Sequence, residues 1–245
     1  MRTKTLLLSA GALLAAGFVS SQAQPVYSQN IVGYASVTAP SAFTLMCVPF
    51  NMGVSNGANE IFGTNLPDQT QILIWNPGSG KYVTDYYDTQ GGYGVAPYWY
   101  MSDDSTSTNP PILAPGKGFF MLAPGGVTNT FAGVVAVNVG ATNTQTLGSY
   151  FSLVGSVVPA AGAVTNGLIN LGSNLPDQTQ VLIWNSATGK YITDYYDTQG
   201  GYGVAPYWYM SDDSTPTNPP AISVGQGFFI LPPGGGTWTE TLPSN

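Results

Sequence analysis

The segment that opens LPDQTQILIWN at Leu66 and closes GKGFFMLAPGG at Gly126 returns as Leu175–Gly235, from LPDQTQVLIWN to GQGFFILPPGG. The offset is 109, and 48 of the 61 positions are identical. Within it, Thr84–Thr106 and Thr193–Thr215 are the same 23 residues, TDYYDTQGGYGVAPYWYMSDDST. A chain written twice is two copies of one structural unit, so a site in one copy should recur in the other.

The repeated segment reads as β-structure. QILIWN and KYVTDYY flank Asn76-Pro77-Gly78-Ser79-Gly80, a turn sequence that joins two strands into a hairpin. Asn185–Gly189 does the same in the second copy. Along the first strand Ile72 and Ile74 share one face and Leu73 and Trp75 the other. Both faces are apolar, which predicts a central strand covered on two sides. Runs of β-branched and aromatic residues between turn signals predict further strands. In copy one they fall at 31–38, 43–49, 71–76, 81–87, 97–101 and 117–123. In copy two they fall at 131–139, 150–158, 180–185, 190–196, 206–210, 226–231 and 237–242. Only 57–63 and 165–172 suggest short helices.

The repeat extends upstream. FTLMCVPFNMGVSNGANEIFGTNLPD (43–68) parallels FSLVGSVVPAAGAVTNGLINLGSNLPD (151–177), and IVGYASVTAP (31–40) is aligned with FAGVVAVNVG (131–140). Six or seven short strands per copy predict an all-β chain of two tandem β-sandwich-like (or small barrel-like) modules, over 30–133 and 134–245. The strand at 130–139 is expected to close the first module and open the second.

The order of motifs is an apolar F-S-L-V strand, an I-W-N-x-x-x-G-K-Y hairpin and a P-G-x-G-F-F strand. It resembles a group of secreted bacterial tandem β-repeat proteins, similar to modules of bacterial adhesins and cell-surface proteins. The resemblance implies a structural rather than a catalytic role and brings no catalytic residues with it. Gly116-Lys117-Gly118-Phe119-Phe120 and Gly225-Gln226-Gly227-Phe228-Phe229 carry its last strand.

The N-terminus reads as a cleavable export signal. Arg2 and Lys4 precede the apolar run Leu6–Val19, and Ser21 and Ala23 suit the −3 and −1 positions of a peptidase site, which predicts cleavage after Ala23. The run is shorter than the ~20 residues of a membrane-spanning helix. The expected location is secreted, extracellular or cell-surface, with the periplasm as an alternative, and no membrane insertion after cleavage. Residues 24–245 keep Lys81, Lys117 and Lys190 against 12 acids, a net charge of −9. So acidic a surface disfavours nucleic acid and anionic membrane as partners.

The chain has no His and one Cys. That removes Ser-His-Asp and Cys-His nucleophile systems and the commonest zinc ligand. Cys47, in FTLMCVPF, is either a buried small hydrophobe or half of an intermolecular disulfide. All ten Asp form five matched pairs: Asp68/Asp177, Asp85/Asp194, Asp88/Asp197, Asp103/Asp212 and Asp104/Asp213. The last four pairs are candidate calcium ligands, since calcium takes carboxylates in Gly-rich loops. The competing reading is that they cap turns.

The repeated segments also hold 12 of the 15 Tyr and four of the five Trp. Tyr98-Trp99-Tyr100 and Tyr207-Trp208-Tyr209 are the densest clusters and the candidate binding residues. Strand alternation turns the two Tyr one way and the Trp the other. Exposed rings would bind sugars or protein partners; buried ones would pack the core.

These features favour a secreted, non-enzymatic structural or adhesive protein. It would meet itself, cell-surface or matrix proteins, or polysaccharide. A bivalent carbohydrate-binding protein is the alternative, and an Asp-dependent hydrolase the least favoured.

Overall fold

The computed structural model describes residues 31–91, 96–101, 104–165, 168–169, 171, 175–200, 206–210 and 213–242. The expected leader over 1–23, and Asp103 and Asp212, lie outside them.

The first copy holds β1 (Val32–Ala39), β2 (Thr44–Cys47), β3 (Phe50–Asn51), α1 (Ala58–Phe62), β4 (Thr70–Asn76), β5 (Lys81–Asp88), β6 (Tyr98–Met101), β7 (Asp104–Thr108), β8 (Gly118–Leu122) and β9 (Val127–Val135). The second holds β10 (Thr142–Leu147), β11 (Ser152–Gly155), β12 (Gly162–Ala163), β13 (Thr179–Asn185), β14 (Lys190–Asp197), β15 (Tyr207–Met210), β16 (Asp213–Thr217), β17 (Ala221–Ile222), β18 (Gly227–Leu231) and β19 (Gly236–Thr241).

Each copy builds one six-stranded antiparallel sheet, in the order β2-β8-β4-β5-β6-β7 and β11-β18-β13-β14-β15-β16. A smaller sheet, β1-β9-β3 or β10-β19, covers one face of each. The architecture is an open sandwich, with no closed barrel among the described residues. The hairpin forms as the sequence predicts, with Asn76 opposite Lys81 at its turn. Strand β4 lies inside the sheet between β8 and β5. Its Ile72 and Ile74 pack into the core of the first copy, and Leu73 and Trp75 face the opposite way.

That core gathers Met46, Phe50, Ile72, Tyr87, Trp99, Phe119, Met121 and Phe131. Helix α1 closes one end, with Ile61 and Phe62 buried. The Glu60 carboxylate reaches back to accept the Gly57 N–H at 3.2 Å, satisfying a donor the first turn leaves free. The expected second helix does not mirror it: Thr165, Leu168 and Ile169 lie in turns, and much of the segment is outside the described residues.

Two expectations need correction. Residues 131–140 are not the counterpart of 31–40. Strand β9 pairs with β1, Val32 opposite Val134 through Ala39 opposite Val127, and so completes the first copy. The counterpart of β1 is β10, which pairs with β19 as β1 does with β9. The TNTQTL sequence of β10 has no apolar alternation because its inward face is polar as well: Gln145 donates to the buried Glu240 carboxylate at 3.3 Å and to the Gly155 carbonyl at 3.4 Å. The expected boundary at 133/134 falls inside β9. Strands β7 and β16 were also not anticipated: Asp and Ser mark loops in sequence, and here they begin edge strands.

Candidate functional site

The second face of each large sheet begins at the seam between the copies. Leu45 and Phe120 from the first copy meet Leu153 and Phe229 from the second, with Phe43, Leu73, Trp75, Phe151, Leu182 and Trp184 packed around them. The contacts are reciprocal. The Trp75 indole donates to the Phe151 carbonyl at 2.7 Å, and the Trp184 indole donates to the Phe43 carbonyl at 2.7 Å. Trp75 meets Phe229 edge-on at 5.4 Å, and Trp184 meets Phe120 at 5.2 Å. Edge-to-face pairs at these distances add to the area they bury. Beside them Tyr82 and Tyr191 meet their own copies' tryptophans edge-on, at 5.0 Å from Trp75 and 4.9 Å from Trp184, and partial burial raises the pKa of both. Backbone bonds cross the seam too, from Cys47 N–H to the Gly225 carbonyl and from Gly155 N–H to the Gly116 carbonyl. The two copies are thus locked as a pseudo-twofold pair.

Farther along the same face the apolar residues give way to tyrosines. Tyr86 and Tyr100 sit opposite each other on β5 and β6 and stack at 5.2 Å with their planes 17° apart. Tyr195 and Tyr209 repeat this at 5.3 Å and 16°. All four are half-buried. The Tyr100 hydroxyl donates to Gln69 Oε1 at 3.2 Å, and the Tyr209 hydroxyl to Gln178 Oε1 at 2.9 Å. Gln69 and Gln178 are exposed and hold φ of 59° and 61°. The Pro67–Thr70 and Pro176–Thr179 turns, closed by the Thr70 and Thr179 N–H groups on the proline carbonyls, place these glutamines at the turn position that takes positive φ.

The candidate triplets divide. Trp99 and Trp208 are buried in the cores, 1% and 3% exposed. Tyr98 and Tyr207 do not form an exposed pair with their neighbours: they are 6% and 7% exposed. The Tyr98 hydroxyl donates to Asp88 Oδ2 at 3.0 Å and that of Tyr207 to Asp197 Oδ2 at 3.1 Å. Only Tyr100 and Tyr209 reach the half-exposed face. Tyr86, Tyr195, Gln69 and Gln178 were missed. Strand parity combined with the cross-strand register would have found the two tyrosines.

The carboxylates separate by partner. Asp88 Oδ1 accepts the Gln90 and Gly91 N–H groups at 2.6 and 3.0 Å, and Asp197 does the same in the second copy. Asp68 Oδ1 accepts the Thr89 N–H and hydroxyl, and Oδ2 the Gln90 amide. Asp68 and Asp88 are therefore loop-capping groups, as are Asp177 and Asp197. Asp85 and Asp194 point to the core side beside Ile72 and Val181 and are 6% exposed each. Burial pushes the Asp85 carboxyl up to about 6 and raises that of Asp194. Asp104 and Asp213 begin β7 and β16. Among the described residues no three His, Cys, Asp or Glu come together in a way that could hold a metal. Nor is any helix among them long and apolar enough to cross a membrane.

Cys47 is fully buried, with its Sγ 3.5 Å from the Gln226 carbonyl. Burial, and then the charge of Glu240, push its thiol up to about 12. Glu240 is itself buried, and holds Ser156 Oγ at 2.5 Å, the Val157 N–H at 3.1 Å and the Gln145 amide at 3.3 Å.

No protein-family model, no curated protein and no solved structure matches the chain.

Proposed function

We propose that this is an exported, non-catalytic surface-interaction protein: a rigid two-module scaffold that offers one tyrosine–glutamine face twice. The observation that carries this reading is the duplicated stack, Tyr86/Tyr100 on Gln69 and Tyr195/Tyr209 on Gln178, on modules whose relative placement the Trp75 and Trp184 bonds fix. Ring edges, phenolic hydroxyls and neutral amides make a surface that binds through many modest hydrogen bonds and ring contacts. Two such faces on one rigid body gain avidity toward a repetitive target. Asp68, Asp88, Asp177 and Asp197 each cap a loop, which gives these carboxylates a structural role.

The test is retention on isolated cell envelope and on extracellular matrix. Wild type should be retained, and the Tyr86→Ala/Tyr195→Ala double variant should lose most of that retention while each single variant loses an intermediate share. Equal retention of wild type and double variant removes the tyrosine faces from the reading.

The half-exposed rings beside exposed Gln69 and Gln178 favour polysaccharide as the second reading. Aromatic rings and amides together suit sugar rings and their hydroxyls. A polysaccharide panel separates it from protein adhesion: retention on matrix protein with none on any glycan rejects it.

A further inference from the structure

The large sheets end on β7 and β16, five residues each. In a stretch that is otherwise identical from Thr84 to Asn109, the copies differ at one position: Ser107 in β7 is Pro216 in β16. Ser107 faces Tyr100, and Pro216 faces Tyr209 in the same register. Both are exposed. Proline has no N–H, so it keeps its place in a ladder only where the lost donor points away from the neighbouring strand. The shared register then turns the Ser107 N–H outward, toward any strand that approaches the edge. At β16 the ring of Pro216 occupies that approach, a known way to blunt an edge. Among the described residues no strand pairs with the outer side of β7 or β16; past the register shift at Tyr100/Met101 the regular part of the β7 edge is Ser107–Thr108, which keeps its donor, while Pro216 blocks the matching place in β16. The opposite ends of both sheets are engaged at the seam through Cys47 and Gly155.

We propose that β7 pairs antiparallel with β7 of a second copy of this chain, joining two six-stranded sheets edge to edge. The Ser and Thr of β7 suit strand pairing, and the backbone groups it presents are self-complementary in the antiparallel sense. The contact is isologous, so it is used up in a closed two-fold dimer. Pro216 is what ends growth there. With both edges open, β7–β7 and β16–β16 contacts would alternate into an open-ended filament. The chain is strongly acidic, so pairing should tighten as salt screens the repulsion.

The experiment is sedimentation of the exported chain and two variants across a concentration series. Wild type should form dimers that tighten with salt. Ser107→Pro should be monomeric with an unchanged unfolding midpoint, since the second copy already carries proline in this register. Pro216→Ser should give polydisperse, elongated assemblies visible by electron microscopy. That arm does not depend on how Ser107→Pro folds. A wild type that stays monomeric at every concentration overturns the proposal. So does a folded Ser107→Pro dimer, or a Pro216→Ser protein that stops at two chains. None of these readouts depends on retention by envelope or matrix, so this inference and the proposed function fail separately.

Discussion

Cys47 and Gly155 occupy equivalent positions in the two copies and lie against each other at the seam. A Cβ added at Gly155 would stand 2.2 Å from both Cβ and Sγ of Cys47. At the axis of a pseudo-dimer the two equivalent residues compete for one volume, and here one copy fills it while the other yields it. The absence of a second Cys marks this fit, not a thiol the module can do without.

Gly155→Ala should therefore destabilise the protein by about 1–3 kcal/mol, the usual range for overpacking. Cys47→Gly on its own should also destabilise, and Cys47→Gly with Gly155→Ala should cost clearly less than the sum of the two single variants. A double-mutant cycle by urea unfolding measures the coupling. Additive single effects would show that the two residues do not share the space.

The Cys47 thiol should be inert in the folded protein. With its pKa pushed up to about 12 by burial, almost no thiolate exists at pH 8. An aromatic disulfide reagent should label it only on unfolding, and non-reducing gels should show no linked dimer. Rapid labelling of native protein would contradict the burial.

Trp75→Phe and Trp184→Phe should each cost about 1–3 kcal/mol, because each strands a carbonyl at the seam, Phe151 or Phe43. The reciprocal geometry makes the two losses nearly equal. Unequal losses, read from chemical denaturation, would show that the seam is not symmetric in energy.

Acid should favour the fold through Asp85, Asp194 and Glu240. Their carboxyls are raised by burial in the folded state, so the folded protein holds protons that the unfolded chain has lost. Stability then falls as pH rises from near the unfolded carboxylate range through about 6, where Asp85 titrates. Glu60, lowered by its hydrogen bonds, acts in the opposite sense at lower pH. Asp85→Asn with Asp194→Asn should flatten the profile between pH 4 and 7 and stabilise the protein at neutral pH. An unchanged slope in urea midpoints would show that these carboxyls do not carry it.

Much of the fold was legible in residue patterns. The hairpin at Asn76–Lys81 follows from turn chemistry. The double-sided apolar strand Ile72–Trp75 forecast a sheet covered on both faces, and both coverings exist. These are local consequences of side-chain alternation and of backbone preference at Asn, Pro and Gly, so the sequence by itself determined them, along with the duplication and the acidic, His-free chemistry. Partnership across the chain was decided elsewhere. That β9 returns to β1, that Thr-rich β10 is a strand at all, and that Cys47 meets Gly155 depend on contacts between residues about a hundred positions apart. Tyr98 is buried and Tyr86 is stacked for the same reason: alternation assigns a side chain to a face, but only the tertiary structure decides which part of that face another layer covers.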